Sequence, residues 1–95
     1  MLTEQSCSLI KHMIQDDGWR LIDVRTAAEF HHGHLPGAEH WDLRDISRLD
    51  SNGKYFLYCR TGARSGTAEK FLKMKDVDAI NIGGYDVLSK CLGKE

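Results

Sequence analysis

Proline is nearly missing from this sequence, Pro36 being the only one, and cysteine is scarce, with Cys7, Cys59 and Cys91 alone. An odd number of scattered cysteines makes a poor disulfide framework, and no C-x-x-C pair offers a zinc site, so reduced thiols are expected. Charge of one sign is also lacking. The net charge is −1 and the pI about 6.5, so no global basic field exists to hold nucleic acid or an anionic membrane surface, and any anion binding must be local. No apolar run approaches the ~20 residues needed to cross a bilayer. Met1-Leu2-Thr3-Glu4-Gln5 carries no basic, apolar leader pattern, which predicts a cytoplasmic protein.

The composition that remains is ordinary for a globular protein, with 41% hydrophobic and 28% charged residues, so disordered and collagen-like classes drop out. Ninety-five residues are too few to divide into two units that each bury a useful core, so residues 1–95 are expected to form one domain with one site.

The stretch from Tyr55 to Ser65 stands out. An apolar run, Tyr55-Phe56-Leu57-Tyr58, without alternation, reads as a central parallel strand covered on both faces. It stops at Cys59, and the basic, glycine-containing loop Arg60-Thr61-Gly62-Ala63-Arg64-Ser65 leads into a helical pattern. A helix N-terminus presents unpaired N–H groups and a positive dipole end, and together with nearby arginines it pulls a cysteine pKa from about 8.5 towards the ~3.5–7.5 range. The stretch therefore favours a thiolate or a bound anion.

Around it, Thr3-Glu4-Gln5-Ser6 opens a helix with Leu9, Ile10, Met13 and Ile14 along one face, ended by Asp16-Asp17-Gly18. Cys7 reads as a small packing residue before that face, and Cys91 as packing on the last helix. Leu21-Ile22-Asp23-Val24 is a strand in which Asp23 is out of place, since a buried carboxylate needs hydrogen bonds to survive. Thr26 and Glu29 fit a capping box at the start of a second helix that stops at Gly33. His31, His32, His34 and His40 lack a Cys or carboxylate at metal-ligand spacing, so no metal is assigned. Leu35-Pro36-Gly37-Ala38 is a turn, followed by a short strand at Glu39-His40-Trp41. Leu43, Ile46 and Leu49, spaced by three, suggest a short amphipathic helix within 42–50. A helix carrying Ala68, Phe71 and Leu72 follows the loop, then a strand over Ala79-Ile80-Asn81-Ile82 ending in Gly83-Gly84, then a helix over 85–92 with Gly93 as its C-cap.

Strands alternating with helices imply parallel βαβ units and a three-layer α/β architecture, a mainly parallel sheet with helices on both faces. Ligands of such sheets sit outside the carboxyl ends of the strands, and here three strands end at Arg25, Cys59 and Gly83-Gly84, along one edge.

In that order the chain shows Asp23-Val24-Arg25, Glu29-Phe30, Gly33-His34-Leu35-Pro36-Gly37-Ala38, Cys59-Arg60-Thr61-Gly62-Ala63-Arg64-Ser65 and Asn81-Ile82-Gly83-Gly84. In combination these pieces resemble the single-domain rhodaneses, a family of sulfurtransferases, over most of the chain. Val87-Leu88 stand where many members carry a tryptophan, a difference that bears on packing. The resemblance implies that Cys59 accepts sulfane sulfur from an anionic donor such as thiosulfate, holds it as a persulfide and gives it to a thiol or protein acceptor, with no cofactor. Arg60 and Arg64 would attract the donor and offset charge on the leaving group. Gly62 would let the loop backbone approach the ligand. Asp23, Arg25, Glu29, His34, Gly83 and Gly84 would support the site, Asp23 and Arg25 orienting the neighbouring loops through Glu29 and His34 holding its turn. Two rivals carry different chemistry. Cysteine phosphatases and arsenate reductases of related fold use C-x5-R, whereas Cys59 to Arg64 is C-x4-R, a tighter cradle suited to a persulfide. A non-catalytic binding module of the same fold would lack the nucleophile that Cys59 supplies.

Overall fold

The computed structural model describes residues 3–95; Met1 and Leu2, which begin the N-terminal stretch expected to carry no leader pattern, lie outside the described residues. Thr3 caps the first helix, α1 (Glu4–Asp16), its hydroxyl oxygen accepting from the Ser6 N–H at 3.0 Å. A short strand, β1 (Arg20–Asp23), follows. A second helix, α2 (Ala27–His31), opens on the capping box the sequence announces: Thr26 accepts from the Glu29 N–H, and the Glu29 carboxylate accepts from the Thr26 N–H. The remaining elements are β2 (Glu39–His40), β3 (Lys54–Cys59), α3 (Ala63–Met74), β4 (Asp78–Gly84) and α4 (Tyr85–Leu92).

The four strands form one parallel sheet in the order β2-β1-β3-β4. β3 is interior, and Tyr55 to Cys59 are all buried. Because side chains alternate along a strand, β3 feeds two cores. Tyr55, Leu57 and Cys59 join Ala68 and Leu72 of α3 and Ile46 on one face, while Phe56 and Tyr58 join Ile10 of α1 and Leu88 of α4 on the other. This is the three-layer arrangement with helices on both faces. No helix among the described residues is long and apolar enough to cross a membrane.

Three local expectations are corrected. The expected helix within 42–50 is a single 3-10 turn at Ile46–Arg48; three-residue spacing of Leu43, Ile46 and Leu49 suits three residues per turn better than 3.6. Leu9 is 57% exposed, and α1 presents Cys7 and Ile10 to the core in its place. The third correction concerns Cys7 and Cys91. They are joined in a disulfide between α1 and α4, with Cα atoms 6.2 Å apart and a sequence separation of 84, so Cys59 is the free cysteine. Nothing in their spacing reports the pairing, because it arises only when both helices settle on the same face of the sheet. It overturns the expectation of reduced thiols at Cys7 and Cys91.

Candidate active site

The parity of β3 sends the Cys59 side chain towards the α3 face, at the carboxyl edge of the sheet. The chain then turns through Arg60 and Thr61 to Gly62, whose φ of +100° is a left-handed conformation that glycine adopts without a Cβ penalty. The turn aims successive donors at the sulfur. Cys59 Sγ accepts from the Gly62 N–H at 3.0 Å, the Ser65 N–H at 3.4 Å and the Ser65 hydroxyl at 3.4 Å. Burial pushes the Cys59 thiol up, but the Ser65 hydroxyl and the N–H groups of Ser65, Thr61 and Gly62 outweigh it, so the thiol titrates below its ordinary value. The twelve residues of α3 add the positive end of their dipole.

Arg60, Thr61 and Ala63 are exposed at the mouth of the loop. Arg60 forms no ion pair among the described residues, whereas Arg64 is held in a bidentate pair, its two terminal nitrogens 2.7 and 3.0 Å from the Glu29 carboxylate oxygens. Arg64 holds the Glu29 carboxyl down at about 2. One side chain thus caps α2 and ties it to the first turn of α3. The expectation that Asp23 and Arg25 work through Glu29 is corrected here: Glu29 pairs with Arg64, and Asp23 and Arg25 pair with each other.

The Asp23–Arg25 pair is buried and closely satisfied. Asp23 accepts from the Arg25 backbone N–H at 2.9 Å and from its guanidinium at 2.6 to 3.0 Å, and Arg25 also donates to the Gly33 carbonyl at 2.7 Å. The guanidinium lies over the Tyr85 ring, 4.5 Å from its centroid. The out-of-place carboxylate of β1 therefore survives because a charge and a backbone donor two residues on complete it. These contacts fix the β1 exit and the Gly33 turn without touching the sulfur. His34 does hold its turn, stacking on Phe30 at 3.9 Å and bonding the Phe30 carbonyl at 3.1 Å and the Glu95 carboxylate at 3.2 Å.

At the end of β4 the backbone itself is the contact. A Cβ on Gly84 would stand 2.5 Å from the Arg60 carbonyl oxygen and 3.1 Å from Thr61 Cα, so only glycine lets the strand pass this close to the loop. Gly83, at φ +110°, sits just beyond a bulge at which β3 and β4 slip register between Leu57 and Tyr58. Asn81, which sequence reasoning did not place among the site residues, connects these parts. Its amide nitrogen donates to the Gly62 carbonyl at 3.0 Å, and its amide oxygen accepts from the Ser65 hydroxyl at 2.7 Å and the Gly83 N–H at 3.0 Å. The available signal was a polar residue between Ile80 and Ile82, immediately before the two glycines.

The surroundings are shallow. A cleft of about 180 Å³ lined by Arg25, Thr26, Arg44 and Arg64 lies beside the first turn of α3, while a larger one of about 520 Å³ opens between α1 and α4 at the disulfide. Among the described residues no three His, Cys, Asp or Glu side chains gather as a metal-ligand set.

The profile of the family described as "Rhodanese: Rhodanese-like domain" matches residues 6–91. The chain belongs to the rhodanese-like domain family. Among its relatives, the Bacillus subtilis protein named "Putative sulfurtransferase YtwF" is 33% identical over 88 residues, covering 87% of this chain and 85% of that protein. The crystal structure of SSP1007 from Staphylococcus saprophyticus superposes with a TM-score of 0.71 at 30% identity, over 86% of this chain and 88% of that one. A structure described as "rhodanese with anions from E. coli" gives 0.64 at 27% identity, over 72% and 88%.

Proposed function

We propose that this chain, acting as one rhodanese-like domain over residues 1–95, is a sulfurtransferase in which Cys59 carries sulfane sulfur between an anionic donor such as thiosulfate and a thiol or protein acceptor. The observation that carries the reading is the convergence of three donors on a buried Cys59 sulfur with a lowered pKa. Thiolate is the attacking form. In the first step the Cys59 thiolate attacks the outer sulfur of thiosulfate; a sulfur–sulfur bond to Cys59 forms, the donor's own sulfur–sulfur bond breaks, and sulfite leaves with its electron pair. In the second step an acceptor nucleophile attacks the outer sulfur of the persulfide, and Cys59 leaves as the thiolate.

Each step ends with negative charge on sulfur inside the loop. Preorganised N–H donors stabilise such charge without reorganising, which is the logic of an oxyanion hole applied to sulfur. No separate general base is required, because the loop holds the thiolate directly. Arg60, exposed at the loop mouth, is the cation that meets the incoming anion. Arg64, its fork occupied by Glu29, contributes mainly by fixing the loop and by its charge near Cys59. Asp23, Arg25, His34, Gly83 and Gly84 support the loop from behind.

The direct test measures thiosulfate-dependent thiocyanate formation and aryl phosphate hydrolysis on the same preparation. The proposal expects the first and not the second. Phosphate hydrolysis without thiocyanate formation would replace it with the phosphatase reading.

A further inference from the structure

The Ser65 hydroxyl stands between two acceptors and has one proton. Asn81 Oδ1 lies 2.7 Å away and Cys59 Sγ 3.4 Å away. The orientation of the Asn81 amide is fixed by its other partners. The Gly62 carbonyl can only accept, so it faces the amide nitrogen, and the Gly83 N–H can only donate, so it faces the amide oxygen. Asn81 Oδ1 is therefore an acceptor aimed at Ser65, in direct competition with the sulfur.

We propose that Asn81 is a positioning residue that controls the direction of the Ser65 hydroxyl and, through it, the protonation state of Cys59 that the loop favours. With the hydroxyl proton on Asn81, Ser65 turns oxygen lone pairs towards the sulfur and can accept from the protonated thiol. When the sulfur loses its proton, the hydroxyl rotates to donate to the anion, and Asn81 Oδ1 keeps the Gly83 N–H. The same rotation serves an anionic persulfide, and that extension rests on the sulfur-transfer reading above. Asn81 touches neither the sulfur nor, on this account, the donor; it sets the thiol's protonation through Ser65, while its amide nitrogen braces the Gly62 carbonyl.

The charged groups near this unit are Arg60 in the loop, Arg64 on α3 with its partner Glu29 on α2, Asp23 at the end of β1, and Glu69 on α3. The Glu69 carboxylate accepts from the Asn81 backbone N–H at 2.8 Å and pairs with Lys73 at 3.5 Å. An Asn81 side-chain variant leaves these charges in place but also removes the bonds to the Gly62 carbonyl and the Gly83 N–H, so it is the comparison with the Ser65→Ala background that isolates the hydroxyl.

The test follows Cys59 alkylation by iodoacetamide against pH, read by mass, in the native chain, Asn81→Ala, Ser65→Ala and the double variant. Asn81→Ala frees the hydroxyl for the sulfur and is expected to lower the apparent thiol pKa by about half a unit, about threefold more thiolate at pH values below it. Ser65→Ala is expected to raise it, and adding Asn81→Ala to Ser65→Ala is expected to change nothing further. A raised or unchanged pKa in Asn81→Ala, or the same fall in the Ser65→Ala background, overturns the proposal. Should Asn81→Ala lose its fold by circular dichroism, Asn81→Asp keeps an acceptor for both Ser65 and Gly83 while adding negative charge. It is expected to raise the pKa, and by less once Ser65 is Ala; an equal rise in both backgrounds overturns the proposal. Alkylation needs no sulfur donor, so the two readings fail separately. Coupling between Asn81 and Ser65 without sulfur loading from thiosulfate removes the sulfurtransferase reading, and sulfur loading without coupling removes the role of Asn81.

Discussion

Reducing the Cys7–Cys91 disulfide should destabilise the chain while leaving its site intact. The bridge spans 84 residues, nearly the whole sequence, so its loss returns close to the largest freedom a cross-link can withhold from an unfolded chain of this length. Loop-closure entropy for that span gives a ceiling of about 4.6 kcal/mol at 25 °C. Little is lost from the folded side, because Ile10 and Leu88 are buried in the same core and keep α1 and α4 packed there without the bridge. A loss of about 2–4.6 kcal/mol corresponds to a fall in Tm on the order of 10–30 °C for a domain of this size. Thermal melts with and without a phosphine reductant, and of Cys7→Ser/Cys91→Ser, measure it. Thiol titration of the denatured, unreduced chain should count one free thiol, that of Cys59. The alkylation profile of Cys59 should be the same before and after reduction, since neither Cys7 nor Cys91 contacts the loop donors. Three free thiols without reductant, or a Tm that reduction does not move, would refute the reasoning.

Other perturbations act on the site itself. Glu29→Gln keeps a capping acceptor but uncovers the Arg64 charge, so Cys59 alkylation should shift to lower pH while stability falls by about 1 kcal/mol in a chemical melt. With its folded pKa depressed to about 2, native Glu29 contributes stability present above its ordinary carboxylate pKa and lost as pH falls through about 2; acid melts of Glu29→Gln should lack that component. Gly84→Ala should slow alkylation of Cys59 more than it lowers Tm, because its methyl group meets the Arg60 carbonyl and displaces the loop. Asp23→Ala leaves Arg25 buried and unpaired and should cost about 3–5 kcal/mol in urea unfolding, with the family fold lost at elevated temperature.

Much of this arrangement is legible in the sequence. The unbroken apolar run Tyr55–Tyr58 marked the interior strand, the Thr26–Glu29 spacing marked the start of α2, and the alternation of strands and helices put the strand ends near Arg25, Cys59 and Gly83-Gly84 along one edge. The first two signals are local, carried by residues within a few positions of one another. What stayed hidden depends on segments far apart in sequence. Glu29 and Arg64 are 35 residues apart, and Ser65 and Asn81 are 16 apart. Each was readable as a residue type, but its partner is chosen by which strands neighbour in the sheet. Glu29 illustrates the point: its capping role follows from Thr26 three residues earlier, while its ion pair follows from α2 and α3 both beginning at the carboxyl edge. The Cys7–Cys91 bridge is the extreme case, set only by two helices sharing a face.

The central claim is that Cys59 takes up a sulfur atom from an anionic donor and holds it covalently. Intact-mass spectrometry of the native chain and of Cys59→Ser after incubation with thiosulfate tests it most directly. The account predicts a mass gain of one sulfur atom on the native chain, removed by cyanide and absent from Cys59→Ser. An unchanged native mass, or the same gain in Cys59→Ser, would contradict it.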